Sequence, residues 1–458
     1  MLKFYNTMSR ELEEFKPQNE NEVTFYSCGP TVYDFAHIGN LRSYIFADIL
    51  QRTLKFNGYN VKRVINITDV GHLTGDQDAG EDKIEKTARL ESKTAWEIAE
   101  FYTKAFKEDL EKLNIIEPTI WAKATDHIEE QIDLIKKLEE KGFTYKISDG
   151  IYFDTSKIEK YGKLARLNLE GQEEGSRVEV NKEKKNPTDF ALWKFSPVDG
   201  QRQMEWESPW GVGFPGWHVE CSAMSMKYLG DTLDIHTGGI DHIPVHHTNE
   251  IAQSESVTGK SLANYWLHNE FLIVSDGKMA KSKGNFITLS ALEEKDIEPI
   301  VYRFYALSAH YRSKLNFSWD SLENINQSWK KFKKKFIDLG EQTGQVNAEL
   351  LEKFTVDINN DMATPQALAI AWEVFKTSVS DADKRATLIK FDEIFGLGLA
   401  KLKSEQTDIP EEVAKLVQER EEVRKNKKWE KSDELRDKIL ELGWLVEDDS
   451  LGTKLKKK

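Results

Sequence analysis

The fold is decided by the stretch PTVYDFAHIGN, residues 30–40. An apolar, β-prone run, residues 23–26, precedes it, and a helical pattern follows it from residue 41 to residue 54. This order predicts a strand, a tight corner and a helix, with His37 and Gly39 where the helix begins. The N-terminus of a helix attracts phosphate because its first backbone N–H groups carry partial positive charge. We therefore predict that this corner binds a phosphate group.

A second strand is predicted at VKRVINI, residues 61–67. Strand, helix and strand together form a βαβ unit, which implies a parallel sheet covered by helices. The same pattern returns at Asp234 and continues to the apolar run of residues 271–274. The predicted fold class is therefore α/β.

The rest of the chain predicts additional parts around this α/β domain. Residues 142–210 alternate short β-like runs with charged loops, which is typical of an insertion within the domain. Residues 293–400 are largely helical, and the charged segment 411–441 with its following apolar run suggests a small terminal module. A chain of 458 residues is too long for one core of ordinary size, so several domains are expected.

A second phosphate-binding motif is predicted about 240 residues after the first. Lys278 and Lys281 stand three residues apart on a loop flanked by Gly277 and Gly284. Two lysines on such a loop can fold over a triphosphate and neutralise its charge. Each motif alone is a weak signal, whereas the two together, in this order and about 240 residues apart, resemble the two signature sequences of the class I aminoacyl-tRNA synthetases.

Composition excludes several classes of protein. Mean hydropathy is −0.58, no apolar run approaches the ~20 residues of a membrane span, and the N-terminus lacks an export signal, so we expect a cytoplasmic protein without a membrane partner. The net charge of −14 argues against indiscriminate binding of nucleic acid. Residues 401–458 hold 15 Lys and Arg against 15 Asp and Glu, so the first 400 residues carry the whole net charge. A polyanionic partner would therefore be met locally, near the C-terminus and around the lysine-rich run of residues 330–335.

A metal site is predicted by a cluster of histidines. Five of the ten histidines fall within 30 residues, with Cys221 among them: His218, His236, His242, His246 and His247. His246 and Glu250 are four residues apart on a predicted helix, so their side chains share a face. Cys28, at the end of the first strand, can complete a set of two cysteines, one histidine and one glutamate, which suits zinc.

Three alternatives to this site remain open at the level of spacing. His247 can replace His246, because three residues to Glu250 also share a helix face. Cys28 and Cys221 can be small buried apolar residues, which is the usual role of a lone cysteine. They can also form a disulfide, although two cysteines in a chain without an export signal make this the weaker alternative.

The motifs together resemble those of the cysteinyl-tRNA synthetases, a family of class I aminoacyl-tRNA synthetases. The resemblance is carried by residues 25–34, 66–69, 186–194, 216–224, 234–239, 246–250 and 310–313, and by the two phosphate motifs. It covers nearly the full length of the chain. Two departures from the usual family pattern are Asn40, where histidine is common, and Ala280, where serine is common. An amide still donates hydrogen bonds, and both lysines remain.

The resemblance implies a Rossmann-type parallel-sheet catalytic domain split by a connective insertion, followed by a helical domain and a small C-terminal anticodon-binding module. The predicted divisions are residues 1–120 and 216–300 for the two halves of the catalytic domain, 121–215 for the insertion, 301–404 for the helical domain and 405–458 for the module. It also implies one zinc ion per chain, held by Cys28, Cys221, His246 and Glu250.

The resemblance further assigns roles at the substrate sites. His37, Gly39, Asn40, Lys278 and Lys281 are expected to bind ATP with its Mg²⁺, and all of them except Gly39 are expected to act in catalysis. Thr68, Trp217 and His236 are expected to line the pocket for L-cysteine.

The implied function is ATP-dependent ligation of L-cysteine to its tRNA, with a GCA anticodon, through a cysteinyl-adenylate, by a monomer. Zinc would select the cysteine thiolate over the hydroxyl of serine. Two other functions would account for part of these motifs. A zinc-stabilised RNA-binding protein needs neither phosphate motif, and a ligase that joins cysteine to an amino sugar lacks a C-terminal module of the kind predicted for residues 405–458.

Overall fold

The computed structural model describes residues 1–71, 82–166, 181–197, 202–274, 286–403, 410–449 and 452–457. The chain separates into two compact units, residues 1–399 and residues 400–458. The first unit contains a central parallel sheet, an antiparallel sheet and a set of helices, and the second unit is a small α/β module.

The central sheet has five parallel strands in the order β11, β10, β3, β4, β5. In chain order they are β3 (Val23–Ser27), β4 (Val61–Ile67), β5 (Ile120–Lys123), β10 (Leu233–Gly239) and β11 (Ala263–Asn269). The first strand of the sheet therefore lies at its centre, and the chain builds outward first on one side and then on the other. This is the strand order 3-2-1-4-5 of a doubly wound Rossmann-type sheet. The predicted α/β fold is confirmed.

Helix α1 (Ile38–Phe56) connects β3 to β4 and begins at the predicted corner. Its apolar residues recur at helical spacing and are buried, among them Leu41, Ile45 and Leu54. The helix ends at Asn57, whose backbone N–H bonds back to the carbonyl of Thr53, and Gly58 follows with a positive φ of 89°.

The chain between strands of the central sheet also forms the helices α2 (Lys83–Glu91), α3 (Ala95–Lys112), α4 (Ile128–Glu140), α5 (Trp217–Leu229) and α6 (His246–Thr258). Helices α5 and α6 pack against each other, and α4 packs against both. Their apolar side chains form one core with strands of the sheet, including Tyr26, Val64, Val219 and Ile251. Both α5 and α6 are buried along most of their length, which allows polar residues on them to meet inside the protein.

An antiparallel sheet is inserted between β5 and α5 in the chain. Its strands, in order, are β6 (Thr144–Ile147), β7 (Gly150–Phe153), β8 (Phe190–Phe195) and β9 (Gly213–Pro215). Strand β5 belongs to the parallel sheet and overlaps residue 121, where the insertion is predicted to start, and helix α4 packs on α5 and α6. The antiparallel strands themselves begin only at Thr144.

In the described part of the first unit, the remaining strands form two small sheets and the remaining α-helices are six in number. Strands β1 (Lys3–Asn6) and β2 (Glu11–Glu14) pair antiparallel, and β12 (Leu272–Val274) and β13 (Leu315–Phe317) pair parallel. The helices are α7 (Leu289–Glu293), α8 (Pro299–Leu307), α9 (Trp319–Asp338), α10 (Ala348–Asn359), α11 (Thr364–Val374) and α12 (Asp381–Phe395). None of the helices in the described part of the chain is long and apolar enough to span a membrane.

The second unit has two helices and a hairpin: α13 (Glu411–Lys425), α14 (Trp429–Glu441), β14 (Trp444–Asp449) and β15 (Gly452–Lys457). Its small core contains Val413, Ile439, Trp444 and Val446. Arg420 donates two hydrogen bonds to Asp448, at 2.8 and 2.7 Å, which joins α13 to the hairpin.

Candidate functional site

The candidate site lies at the carboxyl ends of β3 and β10, the two neighbouring strands at the centre of the sheet. The chain leaves these strands toward opposite sides of the sheet, so a crevice opens between their ends. Cys28 directly follows β3, and His236 lies within β10. Helices α5 and α6 bring Cys221 and Glu250 to the same place.

Four side chains proposed from the sequence as metal ligands come together there. One candidate ligand atom from each of Cys28, Cys221, His246 and Glu250 lies within 4.8 Å of the others. Within the group, His246 Nε2 is 3.2 Å from Glu250 Oε1, and Cys28 Sγ is 3.8 Å from the same oxygen. These distances are short enough for one cation to bind all four groups after small side-chain movements.

The structure also brings together a second possible ligand set, formed by Cys28, His236, His247 and Glu250. His247 Nε2 is 3.3 Å from Cys28 Sγ, and His236 Nε2 is 2.9 Å from Glu250 Oε2. Cys28 and Glu250 thus belong to both sets: Glu250 Oε2 faces His236, whereas Oε1 lies near His246 and also 3.9 Å from His247 Nε2. Position alone therefore does not choose between His246 and His247.

Burial sets the charge of these groups. Burial holds the pKa of His246 and of His247 well below the ordinary value, so both imidazoles are neutral near pH 7, the form that binds metal. Burial, a hydrogen bond with Cys221 and the charge of Glu250 raise the pKa of the Cys28 thiol. The pKa of Cys221 is also raised, because burial and Glu250 outweigh the opposing hydrogen bond with Cys28.

These groups fit a divalent cation. Two thiols and a carboxylate in a buried place repel one another as anions, and a bound cation removes that repulsion and favours thiolates. Sulfur, imidazole nitrogen and carboxylate oxygen are together the donors of zinc-type sites. The cluster is therefore a candidate metal site.

Further histidines contact the second ring nitrogen of the candidate ligands His246 and His247. His247 Nδ1 lies 2.8 Å from His268 Nε2, and His268 Nδ1 lies 2.8 Å from Thr7 Oγ1. His218 Nδ1 lies 3.0 Å from His246 Nδ1. A hydrogen bond to the second ring nitrogen fixes the tautomer and orientation of a ligating histidine. Sequence reasoning missed His268, which lies on β11 beyond the histidine-rich segment; no local signal distinguishes it from a core residue.

A glycine allows the histidines to approach β10. A Cβ atom on Gly238 would lie 2.6 Å from His242 Nδ1 and 2.7 Å from His247 Cε1. Both distances are shorter than real Cβ contacts, so any other residue here would displace the rings of His242 and His247.

Of the three residues expected in the cysteine pocket, His236 and Trp217 contact members of this cluster, and Thr68 contacts Glu220 on α5. His236 is fully buried and contacts Glu250, and its ring stacks on Trp266 with centroids 4.6 Å apart. Trp217 is half-buried, with its ring 4.5 Å from that of His246. Thr68 follows β4, is buried, and donates its hydroxyl to Glu220 Oε2 at 2.8 Å.

The predicted phosphate corner forms the start of α1. His37 is the residue before the helix: its Nδ1 accepts a hydrogen bond from the backbone N–H of Asn40 at 3.1 Å, and Asn40 Oδ1 accepts one from the His37 N–H at 3.2 Å. This reciprocal cap was not foreseen from the sequence. Since Nδ1 is an acceptor, the proton of the neutral ring is on Nε2, which makes Nε2 a donor. No acidic residue occupies the first turn, so the positive end of the helix is not neutralised there.

Lys278 and Lys281, the second phosphate motif, lie outside the described residues. The described chain on either side reaches Val274 and resumes at Phe286. Phe286 packs edge-on against the His37 ring, with centroids 5.4 Å apart, and Ile287 accepts a hydrogen bond from the N–H of Ile38 at 2.8 Å. One flank of the second motif therefore lies against the first motif.

Comparison with known proteins gives two family matches. Residues 14–327 match the model of the class I (C) tRNA synthetase catalytic domain, and residues 406–454 match that of the cysteinyl-tRNA ligase anticodon-binding domain. The chain is 49% identical to cysteine–tRNA ligase 1 of Burkholderia lata over 455 residues, covering 99% of this chain and 96% of that protein. It is 45% identical to cysteine–tRNA ligase of Treponema denticola, covering 100% and 99%.

Solved structures with little sequence identity share the fold. Methionyl-tRNA synthetase of Mycobacterium tuberculosis, solved with methionyl-adenylate, aligns with a TM-score of 0.54 at 15% identity, covering 82% of this chain and 90% of that one. LeuRS of Agrobacterium radiobacter K84, solved with tRNA and LeuAMS, aligns with a TM-score of 0.59 at 10% identity, covering 84% of each chain. At these identities the likeness concerns the fold alone.

Proposed function

This chain belongs to the cysteine–tRNA ligase family of class I aminoacyl-tRNA synthetases, and we propose that it distinguishes cysteine from serine with one zinc ion and reacts through a cysteinyl-adenylate. As an ATP-dependent enzyme that charges tRNA with cysteine, it must make this distinction. The observation that carries the proposal is the cluster of Cys28, Cys221, His246 and Glu250 at the centre of the sheet. Both cysteines of the chain belong to this set, whereas the alternative set contains one.

Selection between cysteine and serine is the reason to place a metal in such a pocket. The two substrates differ by one atom, and an apolar pocket separates such close analogues only about 10–200-fold. A bound zinc ion would accept sulfur far more readily than a hydroxyl oxygen. Trp217 and His236 would enclose the side chain of the substrate, since each contacts a member of the proposed ligand set. Thr68 would shape the pocket together with Glu220.

Adenylate formation requires groups that hold the phosphates of ATP. The cysteine carboxylate would attack the α-phosphorus, with pyrophosphate leaving, so negative charge develops on phosphate oxygens. His37 Nε2, the Asn40 amide and the backbone at Gly39 would donate to these oxygens at the start of α1. Lys278 and Lys281 would neutralise the departing pyrophosphate, and Mg²⁺ would enter with ATP.

The tRNA would be recognised in two places. A terminal ribose hydroxyl would take the cysteinyl group at the catalytic site, and residues 405–458 would bind the GCA anticodon. The match of residues 406–454 to an anticodon-binding domain supports this second role. The expected form is a cytoplasmic monomer. Light scattering of the purified chain tests whether it is a monomer.

The most direct test is aminoacylation of a transcribed tRNA. A transcript with the GCA anticodon should be charged with cysteine, and a matched transcript with a GGA anticodon should be charged far more slowly. Exchange of pyrophosphate with ATP should depend on cysteine, because only an adenylate intermediate gives that exchange. Charging without cysteine-dependent exchange would exclude the adenylate route.

The role of zinc is tested by replacing it with cobalt. Cysteine should strengthen a thiolate-to-cobalt absorption band, and serine should leave the spectrum unchanged. Lys281→Ala is a matched control, because this variant should lose adenylate formation and keep the spectral response to cysteine. An unchanged spectrum at saturating cysteine would mean that the metal is structural and that selection is by shape alone.

A further inference from the structure

The first turns of α1 contact the chain segments that come before and after residues 275–285. On the far side, the N–H of Ile38 donates to the carbonyl of Ile287 at 2.8 Å, and His37 forms a β-bridge with Thr288. On the near side, Arg42, two residues after Asn40, makes the hydrogen bonds, and the Phe46 ring stacks on Tyr311 with centroids 4.5 Å apart.

Arg42 is buried and donates four hydrogen bonds to backbone carbonyls. Its Nη1 donates to the carbonyls of Glu270 and Phe271, both at 2.7 Å. Its Nη2 donates to the carbonyls of His310, at 3.3 Å, and Ser313, at 2.6 Å. The side chain is only 3% exposed, so water cannot replace these partners. One planar group thus holds α1, the start of β12 and the turn after α8 in a fixed relation.

These contacts meet a short parallel pair of strands. Leu272–Val274 pairs with Leu315–Phe317, and the N–H of Leu315 donates to the carbonyl of Phe271 at 3.2 Å. Glu270 donates its N–H to the carbonyl of Tyr311 at 2.8 Å. Arg42 therefore binds the chain just before both strands of the pair. Strand β12 then leads toward the second phosphate motif.

A comparison with Arg303 shows what is unusual about Arg42. Arg303 is also buried and donates to backbone carbonyls, those of Phe395 and Leu113, but it additionally pairs with the Asp48 carboxylate. Within the described part of the chain, the four hydrogen bonds made by Arg42 all go to carbonyls, and burial lowers the pKa of both guanidinium groups. A guanidinium whose hydrogen bonds go to carbonyls of two segments fixes the geometry of those segments.

We propose that Arg42 is a positioning residue for adenylate formation: it sets the distance between the N-terminus of α1, with His37 and Asn40, and strand β12, which leads into the residues that contain Lys278 and Lys281. The inference rests on the proposed function, because it assigns both motifs to one ATP. Phosphoryl chemistry depends strongly on such distances, since a displacement of about 1 Å can cost about 100-fold in rate.

The experiment compares Arg42→Lys and Arg42→Met with Arg303→Lys in the full-length zinc-loaded enzyme. Each protein is assayed at least 10 °C below its own melting temperature, in single turnover, for the rate of adenylate formation and for the ATP dissociation constant. We expect Arg42→Lys to slow adenylate formation about 10–100-fold with a much smaller change in ATP binding. Arg42→Met should be slower still. Arg303→Lys should lower the melting temperature and leave the rate of the folded fraction unchanged.

A double-mutant cycle separates positioning from general loss of structure. If Arg42 acts through the second motif, Arg42→Lys should slow the Lys281→Ala variant far less than it slows the wild type. Fully additive effects, or equal slowing by Arg42→Lys and Arg303→Lys, would overturn the proposal. The proposed function fails in a different way: the wild-type enzyme would then show no cysteine-dependent adenylate formation at all.

Discussion

Two buried polar clusters of the first unit differ in how their charges are balanced. The metal cluster consists of Cys28, Cys221, His246 and Glu250. The ion cluster consists of Asp48 and Arg52 on α1 and Arg303 on α8. Asp48 Oδ2 accepts from Arg303 Nη2 at 2.5 Å and from Arg52 Nε at 2.7 Å, and Asp48 Oδ1 accepts from the Ile116 N–H at 2.8 Å.

The pKa values express this difference. Burial alone would raise the pKa of Asp48, but Arg303, Arg52 and the Ile116 N–H outweigh it, and the pKa lies below its ordinary value. The thiols of the metal cluster have raised pKa values, because burial and a neighbouring carboxylate act on them without a cationic side chain to compensate. A polar cluster that is complete within the protein stabilises the fold, whereas one that lacks a positive charge is suited to bind a cation. The predictions below test this contrast.

The largest effect is expected from Cys221→Ala. This change removes one proposed thiolate ligand, so freshly purified protein should lose most of its zinc, measured by metal analysis. Cysteine activation should fall by more than about 100-fold, beyond the loss usual for residues behind a ligand. Asp48→Asn is the matched control, since it alters the ion cluster and should keep near-stoichiometric zinc. Full zinc retention in Cys221→Ala would contradict the ligand assignment.

Asp48→Asn should have its effect on stability instead. Removing the carboxylate leaves the buried guanidinium of Arg303 and the partly buried one of Arg52 without the anion that pairs with them, and this should lower the free energy of unfolding of the first unit by about 3–5 kcal/mol in urea titrations. Glu349→Gln, at an exposed pair with Lys353, is the control and should change stability little. A small effect of Asp48→Asn would mean that the ion cluster is no more structural than a surface pair.

The pH dependence of this effect has a definite sign. The pKa of Asp48 is lower in the folded than in the unfolded chain, so its contribution to stability is complete above the unfolded pKa of about 4. It is lost as the pH falls below that value toward the folded pKa. The difference in melting temperature between the wild type and Asp48→Asn should therefore shrink below about pH 4. A constant difference would place the effect in packing rather than in charge.

A smaller effect, the loss of zinc affinity in His247→Asn, should distinguish the two ligand sets of the metal cluster. In the proposed set His246 is a ligand and His247 lies behind it, so His246→Asn should lose zinc as Cys221→Ala does. His247→Asn should weaken zinc affinity only about 10–100-fold, as expected for a supporting residue. Competition with a chromophoric chelator measures both affinities. The reverse order would assign the site to Cys28, His236, His247 and Glu250.

The smallest effect on either cluster is expected from deleting residues 405–458. Both clusters lie within residues 1–399, so zinc content and cysteine-dependent pyrophosphate exchange should be unchanged. Charging of tRNA should fall strongly, because the anticodon-binding domain is removed. Lost exchange in a truncated protein that still shows the wild-type circular dichroism of the first unit would mean that the second unit supports the catalytic site.

Much of this site could be anticipated from the order of residues. The corner at residues 30–40 predicted a strand, a turn and a helix, and Cys28, Cys221 and Glu250 were selected by residue type and spacing. The sequence does not predict the capping bonds between His37 and Asn40, because histidine is not among the usual N-cap residues. Strand β5 has no local signal of its pairing with β4, because that pairing depends on residues more than 50 positions away.

By itself, the sequence determined the parallel α/β architecture, the strand–turn–helix corner at residues 30–40 and the candidate ligands, because periodicity, turn residues and helix spacing act over a few neighbouring positions. Tertiary structure alone decided that His236 and His247 belong to a second set, that His268 supports His247, and that Arg42 joins distant segments. The hydrogen bonds of Arg42 span 228 to 271 positions in the chain. Such partners are set by the packing of α1 against the strands and α8, and no local pattern in the sequence records that packing.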